Sequence, residues 1–62
     1  MKNTNMFTIV NGEHATLINS RNYKGHVIEK VRRRGIEFYT IDKKGYFLYL
    51  KWAKTEIDKM NK

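Results

Sequence analysis

Every glycine in this chain closes a short polar cluster, and that spacing constrains the fold more than any other feature. The clusters read Asn11-Gly12, Asn22-Tyr23-Lys24-Gly25, Arg32-Arg33-Arg34-Gly35 and Asp42-Lys43-Lys44-Gly45. Three of these glycines follow directly on a basic residue. The segments between them are rich in β-branched and aromatic side chains, which suit a pleated, half-buried surface. Glycine reaches positive φ without steric cost, so a glycine that ends a polar cluster between apolar runs marks a turn. The pattern predicts a string of antiparallel hairpins with cationic tips.

Residues 6–10 read as a first strand, Asn11-Gly12 as a two-residue hairpin turn and 13–18 as the return strand. The stretch 19–25 is predicted as the longest loop. Strands 26–33 and 36–41 are joined by a tip at 32–35, with Gly35 in the left-handed position, and 42–45 repeats that pattern. Beyond it, Tyr46, Leu50, Ala53, Ile57 and Met60 fall on a helical stripe, yet Tyr46 to Leu50 has strand-like composition. A strand at 46–51 and a helix at 52–60 satisfy both signals. The fold class is therefore mainly β, a five-stranded antiparallel meander or small barrel with a short C-terminal helix. The alternative is an α+β arrangement, a three- to four-stranded sheet packed by one helix over 46–60. Strand alternation sends Leu48 and Leu50 to the core with Ile36 and Phe38, and leaves Phe47, Tyr49 and Lys51 outward, with Tyr39 a further candidate. Alternate turns of a meander share an end, so loops 19–25 and 42–45 are expected together, with 32–35 at the other end beside Asn11-Gly12.

With 62 residues the chain makes one small domain, 1–62, whose polar residues 1–5 are expected to be disordered. A chain this short buries only about 60% of its unfolded surface, so its stability is marginal unless a staple or a partner helps. No cysteine is present, which excludes disulfides and thiolate zinc sites. His14 and His26 are too few and too far apart for a structural metal, and no cofactor is expected. No apolar run reaches the roughly 18 residues a membrane span needs, so the expected setting is the cytoplasm with no membrane contact.

The formal net charge is +7, and its distribution says more than its total. Lys2 and Glu13 cancel over residues 1–20. Residues 21–34 carry Arg21, Lys24, Lys30, Arg32, Arg33 and Arg34 against Glu29 alone. Six lysines face Glu37, Asp42, Glu56 and Asp58 over the remainder. Charge focused on the middle third favours a polyanion or an acidic protein surface as partner. Lys, Asn, Ile, Tyr and Phe supply 28 residues, a bias that an AT-rich coding sequence also produces, so part of the lysine excess needs no functional cause.

Tyr23-Lys24-Gly25-His26-Val27-Ile28-Glu29-Lys30-Val31 resembles the loop, glycine and strand at the heart of a KOW motif. Around it, Glu13–Ile18, Ile36–Ile41 and Tyr46–Leu50 extend the likeness, so that 13–50 resembles an SH3-like barrel of the KOW or Tudor kind. Such domains contact RNA and proteins in ribosomal and transcription-elongation factors. The resemblance implies binding rather than catalysis, and fold alone carries it no further.

Two residue sets are candidates for the contact. The tip Arg32-Arg33-Arg34 offers planar guanidinium forks that suit phosphate or carboxylate. Arg21, Lys24, Lys43 and Lys44 are expected to converge at the other end, with Tyr23 between them as a stacking ring, and Lys30 adds charge nearby. Phe47, Tyr49 and Lys51 form an outward aromatic row that suits base stacking, although a covering helix or second subunit would use the same surface. Neither Glu13 with His14 nor His26 with Glu29 makes a useful acid–base pair, and Ser20 is the only serine, so no enzyme is expected. The expected function is DNA or RNA binding through basic hairpin tips and exposed aromatics. A protein-binding accessory or inhibitor domain, of the kind phages and mobile elements encode, is the alternative, docking on an acidic surface of a larger protein. A homodimer through an unpaired edge strand stays open.

Overall fold

A computed structural model describes residues 6–60, so the expected disorder of residues 1–5 falls outside it. The chain runs β1 (Phe7–Val10), β2 (Glu13–Tyr23), β3 (His26–Arg33), β4 (Ile36–Ile41), β5 (Lys44–Phe47) and α1 (Leu50–Met60). The strands pair in chain order, each antiparallel to the next, and the sheet curls into a half-barrel. The fold is thus mainly β with one C-terminal helix. The single-helix alternative over 46–60 fails because Lys44–Phe47 pairs with β4.

All four turns are two residues long, tighter than three of the four expected ones. In each, both central residues hold positive φ: Asn11 and Gly12, Lys24 and Gly25, Arg34 and Gly35, Asp42 and Lys43. That geometry matches the right-handed twist of the flanking strands, whereas the mirror turns splay them. The predicted loop 19–25 is instead strand up to Tyr23, because Asn19 to Tyr23 pair with Lys30 to His26. Ladder hydrogen bonds there override the weak strand preference of Asn and Ser. The predicted tip 42–45 shrinks to Asp42-Lys43, and Gly45 (φ +91°) becomes a bulge inside β5. Ile41 faces Lys44 while Tyr39 faces Phe47, so the extra residue puts Phe47, not Tyr46, opposite Tyr39. The expected strand 46–51 therefore stops at Phe47, and the helix starts two residues earlier than expected.

The sheet is apolar on both faces. Directly opposed residues share a face, so Val31 with Phe38 and Glu29 with Thr40 lie on one, and Ile28 with Ile41 and Lys30 with Tyr39 on the other. On the first face the β1–β2 hairpin folds over, and Val10 and Ala15 pack on Val31 and Phe38. On the second, Ala53 and Ile57 of α1 pack on Ile28 and Ile41, with Tyr23, Tyr39, Phe47 and Leu50 around them. This corrects the expected core. Phe38 is buried, but Ile36 and Leu48 are each 60% exposed, and Phe47 turns inward because the bulge reverses its parity and the helix covers it.

A register shift between Leu17 and Asn19 accompanies the fold-over of the first half of β2. The Asn11 N–H then donates to the Lys43 carbonyl at 2.8 Å. The Asn11-Gly12 turn thus lies beside 42–45 rather than at its expected place beside the 32–35 tip, which meets the first hairpin further along, through Glu13 with Arg33 and Thr16 opposite Arg32. The expected neighbourhood of the second and fourth turns does form. Asp42 accepts from the Val27 N–H at 3.1 Å and stands 2.7 Å from His26 Nδ1. No helix among the described residues is long and apolar enough to cross a membrane.

Candidate functional site

The two faces of the sheet differ in charge. Arg21 lies opposite Ile28, Lys30 opposite Tyr39 and Arg32 opposite Glu37, which puts all three cations on the face that carries α1. The helix adds Lys54, whose Nζ stands 5.3 Å from the centre of the Tyr23 ring, and Lys51, three residues earlier on the same side. Lys24 approaches that ring from its own turn at 5.4 Å. Among the described residues, six cations around the β2–β3 hairpin and the adjoining side of α1 therefore meet two carboxylates, Glu37 and Asp58, a surplus of four, while at the β5 end of the same face Lys44, opposite Ile41, stands with Asp42 and Glu56. On the opposite face Arg33 pairs with Glu13 at 3.1 Å and Lys43 with Glu29 at 3.4 Å, and among the described residues no charge is left over there.

Internal pairs fix part of the basic face. Lys24 donates to Asp58 at 2.7 Å, and Tyr23 donates its hydroxyl to the same oxygen at 3.1 Å. The Lys24 bond holds the Asp58 carboxyl below the ordinary carboxylate range and raises the Lys24 ammonium above its own. Arg32 donates to Glu37 at 3.1 Å with Lys30 at 3.5 Å from the other oxygen, and the Arg32 bond is the main cause of the lowered Glu37 pKa. Among the described residues Arg21, Lys51 and Lys54 make no ion pair, so within this group of six they are the charges available to an external anion.

The predicted binding residues divide accordingly. Arg21, Tyr23, Lys24, Lys30, Arg32 and Lys51 share the helix-bearing face. Lys43 does not join them, because its Nζ turns to the opposite face and donates to Thr8 Oγ1 at 2.7 Å beside the buried Glu29. Lys44, opposite Ile41, lies at the far end of the helix-bearing face and lines a groove of about 380 Å³ between β5 and α1, with Ile41, Asp42, Phe47, Glu56 and Met60. The expected row of Phe47, Tyr49 and Lys51 does not form: Phe47 packs under the helix and Tyr49 meets Trp52 edge-on at 4.6 Å. Tyr23 is half-buried, wedged between Lys24, Lys54 and Asp58. Lys54 is not among the predicted site residues, since its place over Tyr23 follows from the packing of α1 on the sheet, which the sequence pattern does not show.

The arginine tip is split by strand alternation. Arg32 and Arg33 point to opposite faces, and the buried Arg33 Nε has no hydrogen-bond partner. Arg34 occupies the turn itself and is exposed. Beside it lies a cleft of about 190 Å³ whose lining includes Phe7, His14, Thr16 and Arg32. No family model, curated protein or solved structure matches this chain.

Proposed function

We propose that the chain is a non-enzymatic domain that binds nucleic acid along the face shared by the β2–β3 hairpin and α1. The segregation of charge supports this most directly: among the described residues, six cations stand against two carboxylates around that hairpin and the adjoining side of α1, with none in excess on the opposite face. Arg21, Lys51 and Lys54 supply phosphate contacts, while Lys24, Lys30 and Arg32 raise the local potential and are held in place by their partners. The test is an anisotropy titration of labelled DNA and RNA oligonucleotides at several salt concentrations. Counterion release gives a log–log slope of about −0.7 to −0.9 per phosphate contacted, so three to five contacts give a slope of roughly −2 to −4.5. A flat dependence contradicts the proposal.

A second reading, docking on a protein, draws on a different surface. Leu48, Tyr49 and Trp52 stand about half exposed or more at the β5–α1 junction, with Tyr46 at 64%. Exposed Trp and Tyr in one apolar group are typical of protein contacts. A pull-down that survives nuclease and is lost in Trp52→Ala favours this reading over the first.

A further inference from the structure

Positive φ is uncommon for residues other than Gly, Asn and Asp, and in this turn geometry those three dominate. Three basic residues nevertheless hold it: Lys24 at 50°, Arg34 at 56° and Lys43 at 69°. Two of them have a reason inside the fold. Lys24 donates to Asp58 at 2.7 Å, and Lys43 donates to Thr8 at 2.7 Å, next to Glu29. Each bond ties a turn to a distant element, so the side chain offsets the backbone cost.

Arg34 has no such bond: among the described residues it makes neither an ion pair nor a side-chain hydrogen bond, and its neighbours Arg32 and Arg33 take the nearby acids Glu37 and Glu13. Asn-Gly would make the same turn at lower cost, as Asn11-Gly12 does in this chain. Strain that the fold does not use points outward, to a ligand. The surroundings say what kind. Arg34 borders the cleft that Phe7, His14, Thr16 and Arg32 line, and Phe7 is 67% exposed. A guanidinium fork, an imidazole, a hydroxyl and an open aromatic ring together suit a phosphate with an adjoining base.

We infer that Arg34 is a ligand-contacting residue whose guanidinium takes a backbone phosphate of a nucleic-acid strand at this cleft. The inference rests on the nucleic-acid reading above and adds an anchor at one end of the same face, since Arg32 and Thr16 are cross-strand partners on it.

Arg34→Asn tests it in the full chain, because the substitution should improve the turn while removing the contact. Thermal unfolding and anisotropy with a labelled single-stranded oligonucleotide are measured side by side. The midpoint is expected to rise by about 3–6 °C, and the salt slope of binding to fall by about one unit, whatever the base sequence. An affinity and slope in Arg34→Asn equal to those of a wild type that does bind overturn the inference alone. A lowered midpoint also overturns it, since Arg34 would then serve the fold. Absence of salt-dependent binding in the wild type overturns both this inference and the reading beneath it.

Discussion

The side chain of Asn11 is hydrogen-bonded like a strand residue to Gly45: the Gly45 N–H donates to Asn11 Oδ1 at 2.9 Å, and Asn11 Nδ2 donates to the Gly45 carbonyl at 3.1 Å. Together with the Asn11 N–H bond to Lys43, this joins the first hairpin to the last strand and holds the curl of the sheet. Asn11 also occupies a left-handed turn position, which few other residues fill at low cost. Asn11→Ala should therefore lose both the bonds and the turn preference, destabilising the domain by about 2–3 kcal/mol. Asn11→Asp keeps the acceptor for Gly45 N–H and the turn preference, so it should fall between wild type and alanine in urea unfolding. Equal losses for both variants would show that the side-chain bonds contribute little.

Gly45 is constrained independently. A Cβ built there meets Phe47 Cε2 at 2.7 Å, and φ is +91°. Phe47 packs against the cluster under α1, so its ring cannot simply move away. Gly45→Ala is expected to cost about 1–3 kcal/mol, read from the denaturant midpoint. Gly35→Ala makes a useful contrast, since nothing lies within 4 Å of its Cβ position and only the φ of +78° opposes it.

Acid should weaken the fold through identifiable groups. The Asp42 carboxyl lies below its usual range chiefly because of its hydrogen bond with His26, then that from the Val27 N–H. Glu37 and Asp58 are lowered by Arg32 and Lys24. Each carboxyl binds its proton more weakly in the folded chain than in the unfolded one, so the unfolded state gains protons first as pH falls. The stabilisation is fully present above the ordinary carboxylate range of about 4 and disappears as pH drops through the lowered values. Urea midpoints should hold steady from pH 7 to about 5 and then decline. Asp42→Asn keeps a residue tolerant of positive φ but has no charge to lose, so its midpoint should decline less steeply.

Much of this architecture was legible in the glycine spacing. It marked the turns and the strand order because positive-φ positions are local, and local demands show in local sequence. The length of β2 was not legible: Asn19, Ser20 and Asn22 read as loop, and only pairing with β3 makes them strand. The Gly45 bulge was hidden for the same reason, since a glycine after two lysines looks like a turn until its partner strand is in place. That one bulge reversed the parity of Phe47 and with it the expected aromatic row. The candidate site was half legible. The charges of 21–34 were evident, but their sorting depends on which acid each meets: Lys43 goes to Glu29, Arg33 to Glu13, and Lys54 joins only through the helix.

The most direct test of the basic face compares two substitutions that change the net charge equally. Lys51→Glu reverses a charge in the cation-rich part of the helix-bearing face, and Lys44→Glu reverses one at the β5 end of that face, in the groove where Asp42 and Glu56 stand. Oligonucleotide binding is followed by anisotropy across a salt series for both variants and the wild type. Lys51→Glu is expected to weaken binding strongly and to lower the salt slope by about one unit or more, with Lys44→Glu close to wild type. Equal losses in the two variants would mean that net charge alone attracts the ligand, and would contradict a binding face built by Arg21, Lys51 and Lys54.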